Sequence, residues 1–257
     1  SKDYDIQMDH LGFSYGEEPI FSDYSVRILP NTLTALSGPS GCGKSTLLNL
    51  AAGLLTPSSG RILMDGKEVN GPGAERTVMF QEHALYPWLT VRENVEFGMK
   101  LSGVSKETRL EKSNYFLKMV HLHGYEDYRI HEISGGMRQR AALIRTLALE
   151  PELLLLDEPF SALDYQTRLT VCDDISTIIR ESRKTAILIT HDLSEAVSAA
   201  DRILVLTKRP GTICRILPVT FPLSANRPLE RRNDSAFSLY FNELWKTLQG
   251  EGKKYEM

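Results

Sequence analysis

The segment Gly38-Pro39-Ser40-Gly41-Cys42-Gly43-Lys44-Ser45-Thr46 sets three glycines ahead of a lysine and two hydroxyls. Glycines let a backbone wrap closely enough for its N–H groups to face phosphate oxygens. Lys44 adds a point charge for β- and γ-phosphates, and the Ser45 hydroxyl can ligate Mg²⁺. Spacing of the type G-x-x-x-x-G-K-[ST] carries this meaning between a strand and a helix. A second chemical pair closes an apolar run, Leu153-Leu154-Leu155-Leu156-Asp157-Glu158. Charge is costly inside a buried strand, so the two acids belong at its exposed C-terminal end. In a parallel sheet that edge is where ligands bind. Asp157 suits a Mg²⁺ shell, and Glu158 can orient or polarise an attacking water.

The elements that must hold these groups alternate. The patterning predicts strands over Tyr4–Tyr15 and Pro19–Leu29 around a Gly16-Glu17-Glu18-Pro19 turn, then a strand over Leu33–Ser37 and a helix over Lys44–Ala52. Strands follow over Arg61–Met64 and Thr77–Phe80. From Val91 to Leu149 the spacing turns helical, with helices over Val91–Met99, Lys106–Val120 and Met137–Leu149. After Pro151 the alternation returns. Strands Leu153–Leu156, Thr185–Thr190 and Arg202–Leu206 are separated by helices Thr167–Ser182 and Leu193–Ala200, and Ser235–Leu248 is a further amphipathic helix. Strands alternating with helices imply a mainly parallel, covered sheet. The expected fold class is α/β: a phosphate-loop NTPase (RecA-like) core, an N-terminal antiparallel β subdomain and a helical insertion over 91–149.

Before the third of those helices stands Ile133-Ser134-Gly135-Gly136-Met137-Arg138-Gln139-Arg140. It resembles the signature of ATP-binding cassette (ABC) ATPases, with Ile133 and Met137 where Leu and Gln are commonest. The resemblance runs over nearly the whole chain, 1–257. Gln81 resembles the Q-loop residue, Ser161-Ala162-Leu163-Asp164 the D-loop, His191 the switch histidine and Tyr15 the adenine-stacking aromatic, all in the family's order. It implies ATP and Mg²⁺ as ligands, with Gly38 through Thr46 and Tyr15 holding the nucleotide. Ser45, Gln81 and Asp157 hold the metal, and Glu158, His191 and Gln81 are the catalytic set. It further implies that Ser134, Gly135 and Gly136 complete the site of a second cassette, head to tail in a homodimer. A helix N-terminus at these residues supplies free N–H donors and a positive dipole end, which suit a γ-phosphate.

Leu85-Tyr86-Pro87-Trp88-Leu89-Thr90-Val91-Arg92-Glu93-Asn94-Val95 places aromatics ahead of a helix, a patch suited to docking a partner helix. That stretch, Gly136-Met137-Arg138-Gln139-Arg140 and Arg209-Pro210-Gly211 resemble the nitrate/sulfonate/taurine-type importer ATPases. The implied activity is ATP hydrolysis coupled to a transmembrane permease, with a solute-binding protein as an indirect partner. The implied location is peripheral, on the cytoplasmic membrane face. A soluble cassette of repair or translation is the alternative. Such proteins usually carry two cassettes or a long coiled coil, and neither pattern is present. A non-hydrolysing nucleotide switch fits poorly with Glu158 and His191 together.

Composition narrows the classes. The chain has 257 residues, 42% hydrophobic and 25% charged, with net charge −3. That is a globular balance, and it lacks the basic excess of a nucleic-acid binder. Three separated cysteines, Cys42, Cys172 and Cys214, make no disulfide framework and suggest a reducing compartment. No apolar run approaches bilayer length, and Ser1-Lys2-Asp3-Tyr4-Asp5 has no secretory pattern. His121, His123 and His131 lack companion ligands at metal spacing.

Overall fold

The computed structural model describes residues 5–79 and 85–253, with side chains through 250. Strands β1 (Ile6–Tyr15) and β2 (Glu18–Ile28) form a hairpin, followed by β3 (Leu33–Ser37), helix α1 (Lys44–Ala51), β4 (Ser59–Met64), β5 (Lys67–Glu68) and β6 (Arg76–Met79). Three helices come next: α2 (Val91–Leu101), α3 (Lys106–Met119) and α4 (Gly135–Leu147). The chain then runs through β7 (Leu153–Asp157), α5 (Tyr165–Glu181), β8 (Thr185–Ile189), α6 (Leu193–Ala199), β9 (Arg202–Leu206), β10 (Ile213–Pro218), α7 (Pro228–Asn233) and α8 (Ser235–Lys253). The expected elements are present. Strands β5 and β10 and helix α7 have no counterpart in the sequence reading, and α4 begins two residues early because Gly135 and Gly136 belong to its first turn.

Two sheets carry the fold. One is antiparallel, in the order β2-β1-β4-β5. The other has the order β10-β9-β3-β8-β7-β6, parallel except for the edge strand β10. Successive side chains on a strand point to opposite faces, so an apolar strand covered on both sides feeds two cores. Leu153 and Leu155 of β7 pack with the N-terminal strands and α1. Leu154 and Leu156 pack with α2, α4 and α5. Ile187 and Ile189 of β8 join the first core, and Ala186 and Leu188 the second. A single sheet therefore joins the β layer to the helical layer. Truncating Leu155, which is wholly buried, to Ala costs about 2–5 kcal/mol.

The helices start where short polar side chains take up the first free N–H groups. Thr90 and Glu93 form a reciprocal cap at α2, Ser134 caps α4, Asp164 caps α5 and Asp192 caps α6. Strands β3, β8 and β7 are parallel neighbours, so their C-terminal ends share one edge. The phosphate-loop sequence follows β3, His191 follows β8, and Asp157 and Glu158 end β7. The topology thus gathers residues more than a hundred positions apart.

Candidate functional site

The loop from Gly38 to Gly43 leaves β3 and enters α1 without a side-chain cap, so the first N–H groups of α1 are open to an anion. Gly43 sits at φ 105°, and a Cβ there would come within 2.6 Å of Ile20 Cγ2, so only glycine fits. Lys44 curls back over the loop and donates from Nζ to the Gly38 and Pro39 carbonyls, each at 3.0 Å. Cys42 is buried, with Sγ 3.7 Å from that ammonium, and its role is to fill space beneath the loop.

Ser45 Oγ donates to Asp157 Oδ2 at 2.8 Å. Burial raises the Asp157 carboxyl above its ordinary value. The Ser45 bond opposes this, the Glu158 charge adds to it, and Lys44 counteracts it. The next residue, Glu158, has a left-handed backbone at φ 48°. This is uncommon for a side chain with a Cβ, and it turns the Glu158 side chain off the strand line. Its Oε2 lies 2.7 Å from His191 Nδ1. The sequence assigns these two residues separately to the reacting phosphate; the fold brings them into direct contact. The imidazole is largely exposed, whereas the carboxylate is mostly covered.

A cavity of about 310 Å³ connects these groups, lined by loop residues Ser40, Gly41 and Gly43, by Lys44, Ser45 and Thr46, and by Asp157 and Glu158. A larger cavity of about 400 Å³ lies between α3 and α5, with Phe116, Leu147, Leu154, Ile178 and Ile179 among its walls. Chemistry decides between them: the smaller one has the convergent charges and free N–H groups, so size does not identify the site.

Ser134 stands apart from that cavity. Its Oγ accepts from Met137 N at 3.2 Å, which leaves the hydroxyl hydrogen free to be donated. Gly135 and Gly136 form the first turn of α4 beside it. Tyr15 ends β1, half-exposed and edge-on to Phe13 at 4.9 Å. Gln81 lies outside the described residues. In the docking stretch, Tyr86 packs against Phe97 at 4.5 Å and only Trp88 of the two aromatics is strongly exposed.

Two residues that the sequence reading quoted only as members of motifs, without a role, stand at the site. Arg209 lines the cavity from the loop after β9. Gln139, fully buried in α4, donates to the Glu158 carbonyl at 3.0 Å and to Ser161 Oγ at 3.1 Å, and accepts from Ala162 N at 2.7 Å. The available signal for Gln139 was its place on the same helical face as Ala142 and Leu143, where a polar residue needs buried partners. Among the described residues there is no His/Cys/Asp/Glu group of metal-binding type, and no helix long and apolar enough to cross a membrane.

Comparison with known proteins adds an independent line. Residues 21–161 match the ABC transporter family. The chain is 45% identical over 217 residues to the nitrate import ATP-binding protein NrtD of Synechocystis sp., covering 83% of this chain and 82% of that protein. It is 46% identical over 216 residues to the taurine import ATP-binding protein TauB of Yersinia pestis, covering 84% and 85%. An ATP-binding cassette solved as a dimer in a post-hydrolysis state with ADP and Pi superposes with TM-score 0.75 at 27% identity, covering 84% of this chain and all of that one. With the family matched over more than half its length, and with its phosphate loop and paired acids on one sheet edge, this chain belongs to the ABC transporter family as an ATP-binding cassette and is an ATPase.

Proposed function

We propose that the chain is the ATP-hydrolysing subunit of an importer, and that two copies close around two ATP molecules to drive a membrane permease. The observation that carries this reading is the Glu158–His191 contact at 2.7 Å, in the same cavity system as Lys44 and the Ser45–Asp157 pair. A site that only held nucleotide would need the loop and not this second pair.

In the proposed mechanism the open N–H groups of α1 and the Lys44 ammonium hold the β- and γ-phosphates. Tyr15 stacks on adenine. Glu158 accepts the proton of the attacking water as its oxygen bonds to the γ-phosphorus and the bond to ADP breaks. His191, hydrogen-bonded to Glu158, fixes the carboxylate's direction and reaches the γ-phosphate through its exposed ring edge. The Ser45 hydroxyl and Asp157 carboxylate are hard oxygen donors 2.8 Å apart and fit Mg²⁺, with Gln81 as a further ligand. That ion would supply neutralisation of phosphate charge. Ser134, Gly135 and Gly136 donate to the γ-phosphate held by the other copy, which is why they stand outside their own chain's cavity. Residues 91–149 act as the helical subdomain that presents them.

The names of the two relatives favour a small solute such as nitrate or taurine, and the sequence resemblance extends this to sulfonates. Selectivity then belongs to the permease and its binding protein. The chain would sit peripherally on the cytoplasmic membrane face, attached through that permease.

Glu158→Gln tests the reading. It keeps size and hydrogen-bonding reach but removes charge and basicity. ATP binding should survive, hydrolysis should slow by at least about 10²-fold, and a closed ATP-bound dimer should accumulate on size-exclusion chromatography. Hydrolysis at the parent rate would overturn it.

A further inference from the structure

The sequence singles out Arg209-Pro210-Gly211, and nothing in the mechanism so far uses it. In the structure these residues lie in the turn between β9 and β10. The turn is closed on itself by Thr207 N donating to Thr212 O at 2.9 Å and Thr212 N to Thr207 Oγ1 at 3.0 Å. It is also fixed from outside. Gly211 N donates to Ile20 O of β2 at 2.7 Å. A Cβ on Gly211 would come within 2.9 Å of the Cys42 carbonyl and 3.0 Å of the Phe21 ring, so the turn lies directly against the phosphate loop.

From this turn the Arg209 side chain reaches two elements at once. Nε donates to the carbonyl of Gly41 in the phosphate loop, and Nη1 donates to Glu18 Oε1. Glu18 is the first residue of β2 and pairs across the hairpin with Tyr15. Directly paired residues of an antiparallel hairpin carry their side chains on the same face, about 5 Å apart. The hairpin pairing and the two Arg209 contacts therefore link Tyr15, Glu18, Arg209 and Gly41. The two ends of this link are the aromatic proposed to stack on the base and the loop proposed to hold the phosphates.

We propose that Arg209 is a nucleotide-positioning residue. It ties the Tyr15 hairpin to the phosphate loop and so sets the separation between base platform and phosphate site. The guanidinium fork suits this task, because it donates to two acceptors in fixed geometry, which a lysine ammonium on a flexible stem does not. The inference rests on the ATP site described above, with Tyr15 as its base platform.

The test compares ATP with inorganic tripolyphosphate, which has the phosphates but no base. Equilibrium binding is measured for the parent chain and for Glu18→Ala, Arg209→Ala, Arg209→Lys and Lys44→Ala. Arg209→Ala should weaken ATP about three- to tenfold, the range of an exposed ion pair plus one backbone hydrogen bond, and Glu18→Ala, which removes the ion pair alone, about two- to fivefold. Both should weaken tripolyphosphate by clearly less than they weaken ATP, and Arg209→Lys should recover only part of the ATP loss. In an Arg209→Ala background, Tyr15→Ala should cost less than it does in the parent.

Unchanged ATP affinity in Glu18→Ala and Arg209→Ala would overturn the inference. So would an equal loss for ATP and tripolyphosphate, which would make the contact mere support for the loop. Additive effects of Tyr15→Ala and Arg209→Ala would overturn it as well. Lys44→Ala separates this failure from failure of the site itself: if that variant binds both ligands like the parent, the phosphate site is misplaced.

Discussion

Gln139 offers the clearest quantitative test, because every polar valence of its amide facing the site is engaged and the side chain is fully buried. Gln139→Leu keeps the approximate volume and removes all three hydrogen bonds. The Glu158 carbonyl keeps Ser161 Oγ as a donor at 3.1 Å, so neither of those two groups is fully orphaned. Each lost bond then costs about 0.5–1.5 kcal/mol. Ala162 N donates to the Gln139 oxygen at 2.7 Å, and since Ala162 is exposed, water can take that oxygen's place and this loss falls in the same range. The three together come to about 1.5–4.5 kcal/mol, a large part of the 5–15 kcal/mol typical of a folded domain. Urea unfolding followed by circular dichroism reads this directly. Catalysis should fall as well, because Gln139 holds the carbonyl of Glu158 at its left-handed backbone. ATP affinity, which the proposed mechanism assigns to Lys44 and the phosphate loop, should hold. A stability loss below about 0.5 kcal/mol with a parental turnover number would refute the reasoning.

Other outcomes follow from the same geometry. Glu195 is buried beside Thr190, which donates to it at 2.6 Å, and burial raises its carboxyl above the ordinary value. The fold thus favours the protonated form more than the unfolded chain does. Its stabilising contribution is full below the ordinary glutamate value and is lost as pH rises through the raised one, so Glu195→Gln should unfold at higher urea than the parent at pH 8, with the gap closing toward pH 4. Mixing Lys44→Ala chains with Ser134→Arg chains puts both defects in one composite site and leaves the other whole, so some ATPase activity should return over either variant alone; no gain at any mixing ratio argues against head-to-tail sites that fire independently. Trp88→Ser should abolish transport in reconstituted vesicles while sparing ATPase activity of the isolated chain, and unchanged transport would remove Trp88 from the permease contact.

The legible parts of the molecule are those with strong local signatures. The phosphate loop shows as glycine spacing, the central strands as unbroken apolar runs, and the helical insertion as a change of period. These depend on backbone and burial chemistry that neighbouring residues report. Strand β10 was missed because it pairs only at an edge, where Cys214 and Arg215 are exposed and the alternation is weak. Helix α7 was missed for a related reason. Four of its six residues are polar, and it is held by Arg231, whose buried guanidinium donates to the Ala200 carbonyl at 2.8 Å, and by Arg227, which pairs with Asp173. Those arginines look like a solvated basic patch in sequence, since no local pattern shows that their partners lie on α5 and after α6.

The same distinction explains the site. Lys44, Ser45, Asp157, Glu158 and His191 could each be named because each sits next to a strand end, and the ends of β3, β8 and β7 share one edge once the sheet is parallel. Which of them touch was not legible. The Ser45–Asp157 and Glu158–His191 pairs join different strands, and their distances depend on a register fixed only by tertiary packing. Gln139 and Arg209 go one step further, since both act on backbone carbonyls, Glu158 O and Gly41 O, which have no residue identity to read. A carbonyl becomes a specific partner only when the fold turns it outward, as the left-handed backbone at Glu158 and the glycine-rich turn at Gly41 do. Sequence motifs in this chain therefore name residues, while the contacts that Gln139 and Arg209 make with backbone carbonyls are found only in the folded structure.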